Sequence, residues 1–290
     1  MNELHTYAPQ QLEGSNERII NLWLSRKSAK TQKAYRTDIS QFLAAVNDKP
    51  LGQITLPDLI DYQNSLGTTY AMATQARKIG AIRSLLAFGY KAGFLMVNVG
   101  AAADVPKVPN ELAQRILSET EVIRMIDQTD KYRNKVLIHF AYSTALRAEE
   151  ISTLKWKHIT TNGETGQLTI HGKGDKTRFI KLSESAWKLM MEYKESCSRI
   201  EPEDPVFLSQ KGNAISTSQI WRIVKGIAKK TEINPDASPH WLRHAHASHS
   251  LDRGGGVHLV QAQLGHVSLA TTSKYVHAKP KDTSGNYLPV

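Results

Sequence analysis

The 290-residue sequence contains one cysteine, Cys197, and no long run of apolar residues. A single cysteine excludes an internal disulfide and a cysteine-based zinc site, and it favours a reducing compartment, where Cys197 is expected simply to pack. No stretch approaches the roughly 18 consecutive apolar residues of a membrane span, and the N-terminus lacks the basic start and apolar core of a signal peptide. We therefore expect a cytoplasmic protein with no membrane partner.

Acidic residues are the minority among the charged side chains: 27 Asp and Glu stand against 37 Lys and Arg, which gives a formal charge of +10. The excess is spread along the chain, because residues 1–110 carry 12 basic and 8 acidic side chains and residues 111–290 carry 25 and 19. A basic tail therefore does not explain the charge. Such a balance favours an acidic partner, with nucleic acid as the first candidate.

Helical patterns dominate the first hundred residues. The stretch from Trp23 to Val46 is predicted as a helix, with Ser28 as a candidate cap at a break within it. Two more helical segments follow over 55–67 and 68–93, and the second carries an apolar stripe formed by Ile79, Ile82, Leu86 and Tyr90. Three basic residues lie away from that stripe: Arg77, Lys78 and Arg83. Their face of the helix either is solvated or contacts DNA.

A linker is predicted at ADVPKVPN, residues 103–110, because it contains two prolines and no hydrophobic period. Beyond it, SETE at 118–121 and STSQ at 216–219 are capping boxes that open helices. Between them, QLTIHGKGDKTRFIKL at 167–182 alternates as two strands around a glycine-flanked tip, which is typical of a β-hairpin. The sequence predicts a mainly α protein with a small antiparallel β-sheet, in two domains over residues 1–102 and 111–290.

Four histidines fall within ten residues of the second domain: His240, His244, His246 and His249. On a helix, the first two share a face with Arg243, whereas the last two project from the opposite side, where we expect partly buried packing. One metal ion could not reach all four, and the permanent charge of Arg243 would repel a cation from its neighbours. An Arg beside a His is instead suited to binding a phosphate.

Other side chains that could bind or react with a phosphate are found along the chain, and each of them taken singly can be interpreted as an ordinary surface residue. In order and spacing, however, five short motifs resemble those of the tyrosine recombinase, or phage integrase, family. The motifs are Arg147 in STALRAEEISTLKW, Lys173 in HGKGDKTR, His240-x-x-Arg243, Leu-Gly-His266, and Tyr275 nine residues later. The segment SAKTQKAYRTDISQF at 28–42 also resembles the start of the family's core-binding domain. The resemblance covers essentially the whole chain, with an Xer-like size and two-domain layout.

The resemblance implies a site-specific DNA recombinase with the catalytic residues Arg147, Lys173, His240, Arg243, His266 and Tyr275. Tyr275 would attack a DNA phosphate and form a 3′-phosphotyrosyl intermediate. The two arginines would bind the non-bridging oxygens and His266 would donate a further hydrogen bond. His240 would accept or relay the tyrosine proton, and Lys173 would protonate the departing 5′-oxygen. Glu150, behind Arg147, would orient that helix.

The resemblance also implies an N-terminal helical, SAM-like DNA-binding domain and a C-terminal catalytic domain that act on double-stranded DNA as a homo-oligomer, a tetramer in the synaptic complex. No metal or cofactor is required by this chemistry. Ala145 stands where the family often has glycine, a change not expected to affect catalysis, and the tail 278–290 does not resemble the docking helix of many members. The alternatives are a type IB topoisomerase and a DNA-binding protein without catalytic activity.

Overall fold

The computed structural model describes residues 16–67, 69–109, 111–172, 177–265 and 275. The chain divides into two compact units, residues 1–109 and 110–290. Helices of the first unit are α1 (Asn16–Ser25), α2 (Ala29–Ala45), α3 (Leu56–Gly67) and α4 (Met72–Lys91). Helices of the second are α5 (Glu119–Asp127), α6 (Tyr132–Thr144), α7 (Ala148–Ser152), α8 (Glu184–Glu195), α9 (Thr217–Lys230), α10 (Pro239–Asp252) and α11 (Val257–Leu264). Its strands are β1 (Ile159–Asn162), β2 (Thr165–His171) and β3 (Thr177–Lys181).

The first unit is a helical bundle whose start differs from the prediction in one respect. The predicted break is present, because the hydroxyl of Ser28 accepts a hydrogen bond from the backbone N–H of Thr31 and opens α2. Helix α1, however, begins at Asn16, seven residues before the predicted start. The buried core of this unit includes Trp23 and Phe42, and the ring of Trp23 stacks on Tyr35 at 5.2 Å.

Helix α4 departs from the prediction at Tyr90, which is 50 % exposed instead of continuing the apolar stripe. The chain turns at Gly93, whose φ is +77°, and folds back so that Leu95 packs against Gly89. A β-carbon at Gly89 would come within 2.8 Å of the Leu95 side chain. Leu95 is therefore part of the buried core of this unit, whereas Tyr90 is not.

Lys78 also lies elsewhere than predicted. It was expected on an exposed face with Arg77 and Arg83, but its side chain is buried, 2 % exposed. Its ammonium lies 3.5 Å from a carboxylate oxygen of Asp38, hydrogen-bonds Gln41 and lies 4.6 Å from the ring centroid of Tyr70. Burial of this charge is tolerated because a carboxylate, an amide and an aromatic face surround it. Arg77 pairs with Asp38 and stays exposed.

The second unit packs helices against a three-stranded antiparallel sheet in the order β1-β2-β3. Both predicted capping boxes open helices, α5 at Ser118 and α9 at Ser216. The predicted hairpin pairs Leu168 with Ile180, both in the core, and its tip at 173–176 lies outside the described residues. Strand β1 was not predicted, because its polar sequence ITTN has no alternating apolar face. The predicted class, mainly α with a small antiparallel sheet, is confirmed.

The composition led to two further expectations, one about the packing of Cys197 and one about membrane-spanning helices. Cys197 is partly buried and packs against the second core, with its thiol 3.3 Å from the carbonyl oxygen of Tyr193. Across the described ranges, no helix is both long enough and apolar enough to cross a membrane.

Candidate active site

Arg243 forms the buried centre of the site. It lies on α10, is 4 % exposed, and donates from Nη1 to the carbonyl oxygen of Ala145 (2.6 Å) and from Nη2 to that of Leu264 (2.5 Å). Both carbonyls lie at the C-terminal ends of helices, α6 and α11. Such ends carry carbonyls without intrahelical partners and a partial negative charge, and both features favour a cation. The guanidinium is therefore fixed by the backbone at two points.

Both helix ends turn through the left-handed region, with a φ of 53° at Ala145 and 63° at Gly265. Glycine adopts this conformation at little cost, whereas an alanine loses about 1–2 kcal/mol. Ala145 is nevertheless fully buried, and its carbonyl binds Arg243. Ala145 thus occupies a backbone conformation that favours glycine. Its carbonyl oxygen also helps to hold Arg243 in place.

Arg243 and Arg147 influence each other electrostatically. Burial, together with the charge of Arg147, lowers the pKa of Arg243 to about 10. The guanidinium stays protonated at neutral pH, but two cations are held near each other. An anion that binds between them would relieve this repulsion.

Arg147 is placed by the carboxylate of Glu150. It is the N-cap residue of α7, and its Nη1 lies 3.0 Å from Glu150 Oε1 while its backbone N–H donates to Glu150 Oε2 at 2.8 Å. The side chain of Arg147 remains 39 % exposed, so a substrate can reach it. The expectation that Glu150 orients this part of the site agrees with these contacts.

A second arginine, Arg178 on β3, binds the same carboxylate in bidentate fashion. Its Nη1 and Nη2 each lie 2.8 Å from an oxygen of Glu150, and its Nε donates to the carbonyl of Gln263 at 3.1 Å. Burial alone would raise the pKa of Glu150, but the hydrogen bonds from Arg178 and Arg147 outweigh it and lower that pKa. Arg178 also packs on Gly265, where a β-carbon would come within 3.2 Å of its Cδ. One side chain thus joins the hairpin, the Arg147 turn and the end of α11.

Tyr275 lies in a small apolar cluster and is 6 % exposed. Its neighbours in the cluster are Ile116, Ala145, Ala247, Val260 and Leu264. Its hydroxyl lies 2.7 Å from Nδ1 of His244 on α10. Burial raises the pKa of the phenol, and the nearby charge of Arg243 opposes this without reversing it. The phenol is therefore protonated at neutral pH and directed at an imidazole nitrogen.

His240 lies one turn before His244 on the same face of α10, as the helical period predicts. It is exposed, and its ring centroid is 6.5 Å from that of His244 and 6.2 Å from that of Trp221. Both histidines line an open cleft of about 480 Å³. A substrate that enters this cleft meets His240 at its wall.

His246 and His249 project from the opposite side of α10 and pack against α6, as expected. Nδ1 of His246 hydrogen-bonds the backbone carbonyl of Tyr142 (2.8 Å), and Nδ1 of His249 bonds its hydroxyl (2.9 Å). Burial lowers the pKa of His246 to about 4, so it is neutral. Within the part of the chain that the structure describes, no three His, Cys, Asp or Glu side chains form a group that could hold a metal ion.

The structure brings together Arg147, His240, Arg243 and Tyr275 from the predicted set. Lys173, His266 and the tail 278–290 lie outside the described residues. Two contacts were not predicted. His244 was assigned to the correct helix face but given no function. Arg178 was passed over, although it lies two residues before the core residue Ile180 on β3 and therefore on the same inward face, where an arginine is unusual.

Comparison with known proteins gives matches in both units of the chain. Residues 110–282 match the phage integrase family, and residues 19–93 match the phage integrase N-terminal SAM-like domain. Tyrosine recombinase XerC of Pelobacter propionicus is 31 % identical over 259 residues, which cover 86 % of this chain and 85 % of the relative. Tyrosine recombinase XerD of Bifidobacterium longum is 29 % identical over 292 residues, covering 93 % and 94 %.

A solved structure gives the same fold. The lambda integrase tetramer bound to a Holliday junction aligns with a TM-score of 0.76 at 18 % identity, over 92 % of this chain and 78 % of that chain. The resemblance recognised from the five motifs is confirmed by the family matches. Because the match over 110–282 alone spans more than half of the 290 residues, the chain belongs to the phage integrase family of tyrosine recombinases.

Proposed function

We propose that this protein is a site-specific DNA recombinase that cuts and rejoins strands through a 3′-phosphotyrosyl intermediate on Tyr275. The observation that supports this best is the convergence of two arginines and a buried phenol from three separate elements. Arg147 opens α7, Arg243 lies on α10, and Tyr275 packs beside the end of α11. The family assignment supplies the reaction that such a set performs.

The chemistry follows from charge. A phosphodiester gains a second negative charge in its five-coordinate transition state, and charge-assisted hydrogen bonds from Arg147 and Arg243 stabilise that charge. His266 would donate a further hydrogen bond to the phosphate, and His240, at the wall of the cleft, would accept or relay the proton of Tyr275. Lys173 would protonate the departing 5′-oxygen. The phosphotyrosyl bond conserves the energy of the broken phosphodiester, so rejoining needs no nucleotide cofactor and no metal.

The partner in this proposal is double-stranded DNA, on which the protein acts as a homotetramer in the cytoplasm. The basic charge of both halves supports DNA binding, and the related lambda integrase has been solved as a tetramer on a Holliday junction. The first unit would bind DNA with Arg77 and Arg83, while Lys78 is buried inside the bundle beside Asp38. Because phosphate contacts release counterions, affinity would fall steeply with salt.

Strand exchange between two duplexes tests the proposal. A target duplex is first selected by the protein from a random-sequence pool, and two versions of different length are then mixed with the protein. We expect recombinant strands that carry one end from each parent. A type IB topoisomerase would relax a supercoiled plasmid without recombinants, and a DNA-binding protein without catalytic activity would retard the duplex without breaking it. Either of these results contradicts recombinase function.

Arg178→Ala is expected to destabilise the second unit by about 2–4 kcal/mol, because it removes the bidentate partner of a mostly buried carboxylate. Arg178 and Glu150 are only 15 % and 10 % exposed. Denaturant unfolding measures the loss, with Arg199→Ala as the control, since the Arg199 and Glu201 side chains are 87 % and 58 % exposed and such pairs contribute about 0–1 kcal/mol.

The pH dependence of stability gives a second measurement of the same contact. The folded-state pKa of Glu150 is lowered, so the stabilisation is complete above the ordinary value of 4.5 and is lost as pH falls through the folded-state pKa. The Arg178→Ala variant should lose part of this acid dependence. Equal stability of the Arg178 and Arg199 variants would show that Arg178 does not join the hairpin to the site.

A further inference from the structure

The phenol of Tyr275 needs a proton acceptor. A neutral phenol is a weak nucleophile, and burial of Tyr275 makes its ionisation harder than in water. The resemblance assigns the proton to His240. The structure places this hydroxyl in a hydrogen bond with His244, one helical turn further along α10.

The geometry at His244 is that of a hydrogen bond to the nucleophilic atom. Nδ1 of His244 lies 2.7 Å from the phenol oxygen, and the two ring centroids are 5.6 Å apart. In the imidazole tautomer that carries its proton on Nε2, Nδ1 of His244 accepts the hydrogen bond from the phenol. This arrangement is within the reach required of a general base.

The fold holds both partners of this pair in place. His244 follows Arg243, whose guanidinium is fixed by two helix ends, on the same turn of α10. The aromatic ring of Tyr275 is packed in the cluster that contains Ala145 and Leu264, the residues whose carbonyls bind Arg243. The base and the nucleophile are thus positioned by the same elements that position a phosphate-binding arginine.

We propose that His244 is a catalytic residue that accepts the proton of Tyr275 during cleavage and returns it during rejoining, while His240 contacts the phosphate. This inference rests on the proposed function. As the bond between the phenol oxygen and phosphorus forms and the bond from phosphorus to the 5′-oxygen breaks, the phenol proton moves to Nδ1 of His244. The departing 5′-oxygen takes its proton from a separate acid, Lys173. In the reverse step the 5′-hydroxyl gives its proton back to Lys173 and attacks phosphorus, the bond from phosphorus to the tyrosine oxygen breaks, and the imidazolium protonates that oxygen.

Other ionisable groups surround His244 and bear on its titration. The cleft that it lines also contains Glu111, Arg115, Asp236 and His240. Glu111 and Arg115 form an ion pair at 2.7 Å, and Asp236 lies 3.9 Å from the ammonium of Lys225, so these charges largely offset each other. His240 is therefore the neighbour whose titration must be separated from that of His244.

The test compares adduct formation by His244→Asn, His244→Ala and wild type across pH. The probe is the selected duplex with a nick a few nucleotides 3′ of the mapped cleavage position, so that the short 5′-hydroxyl strand diffuses away and the covalent adduct is trapped. The side-chain oxygen of asparagine can replace Nδ1 as a hydrogen-bond acceptor but takes up no proton. His258→Asn, on the exposed side of α11, is the matched control.

We expect wild type and the His258 variant to lose rate as the pH is lowered, because the base becomes protonated. His244→Asn should be about a hundredfold slower or more and should lack this acid limb, because asparagine takes up no proton. If His244 only positioned Tyr275, asparagine would replace it without changing the pH profile. Added imidazole should restore part of the rate of His244→Ala. An unchanged rate and profile in His244→Asn would overturn the proposal.

Two further results separate this inference from the proposed function. If wild type forms no adduct, the recombinase proposal itself fails; if wild type reacts and an acid limb persists in His244→Asn but disappears in His240→Asn, the base is His240. Independently of activity, ¹⁵N spectra of histidine-labelled protein should show an unprotonated Nδ1 at His244 whose resonance shifts in Tyr275→Phe. A protonated Nδ1 at neutral pH would overturn the proposal.

Discussion

Tyr275→Phe is expected to bind the selected duplex with wild-type affinity and to form no covalent adduct. The substitution removes the hydroxyl that attacks phosphorus and keeps the ring, which is the part that packs with Val260 and Leu264. The lost hydrogen bond to His244 costs about 1 kcal/mol of folding free energy, which is too little to unfold the unit. Denaturing gels with the nicked substrate measure the adduct, and retardation gels at fixed salt measure affinity.

The matched control is Tyr142→Phe, which also removes a tyrosine hydroxyl that contacts a histidine of α10. That hydroxyl lies 2.9 Å from His249, on the side of the helix away from Tyr275. The control should form adduct at the wild-type rate, and chelators should change neither result. Adduct in the Tyr275 variant would assign the nucleophile to another residue, and activity abolished by EDTA and restored by zinc would require a metal among the histidines.

The features of the fold that could be predicted are those encoded by neighbours in sequence. Ser118 with Glu121 and Ser216 with Gln219 form caps within one helical turn, so four residues suffice to recognise them. The split of histidines on α10 between two faces likewise needs only the helical period. Such local patterns hold because the backbone geometry of a helix is nearly independent of its surroundings.

Features decided by tertiary contacts could not be predicted in the same way. Lys78 has the spacing of a surface residue, yet Asp38, Gln41 and Tyr70 enclose its charge from elements 8 to 40 positions away in sequence. Strand β1 exists because it pairs with β2, although its own sequence lacks strand character. Propensity is overridden in both places by partners that a single sequence does not identify.

The candidate site shows the same difference between what sequence motifs predict and what depends on tertiary contacts. Five motifs were enough to predict Arg147, Arg243 and Tyr275 as site residues, but the motif spacing could not decide which of two histidines on one helix face meets the phenol. That depends on how the segment carrying Tyr275 returns to α10, since His240 and His244 differ by one turn, about 6 Å along the axis. The left-handed turn at Ala145 is another such case, because it aims a carbonyl at Arg243.

Lys173→Ala is expected to slow cleavage about a hundredfold or more, and replacement of the bridging 5′-oxygen by sulfur should restore it. An alkoxide is a poor leaving group and needs a general acid, whereas a thiol with a pKa near 8.5 leaves as the thiolate without one. Lys181→Ala is the control on the same hairpin, since this lysine is exposed on β3. It should cleave both substrates like wild type.

The contrast with Arg147→Ala makes this a test of the general acid in particular. Arg147, held by Glu150 and 39 % exposed, interacts in the proposed mechanism with the non-bridging oxygens. Its loss removes charge stabilisation that a better leaving group does not replace, so sulfur substitution should give little rescue. Cleavage rates on the oxygen and sulfur versions of one mapped site, taken as a ratio for each variant, measure the difference. A similar ratio for Lys173→Ala and Arg147→Ala would remove the acid role from Lys173, and a wild-type rate for Lys173→Ala on the oxygen substrate would make it a surface lysine.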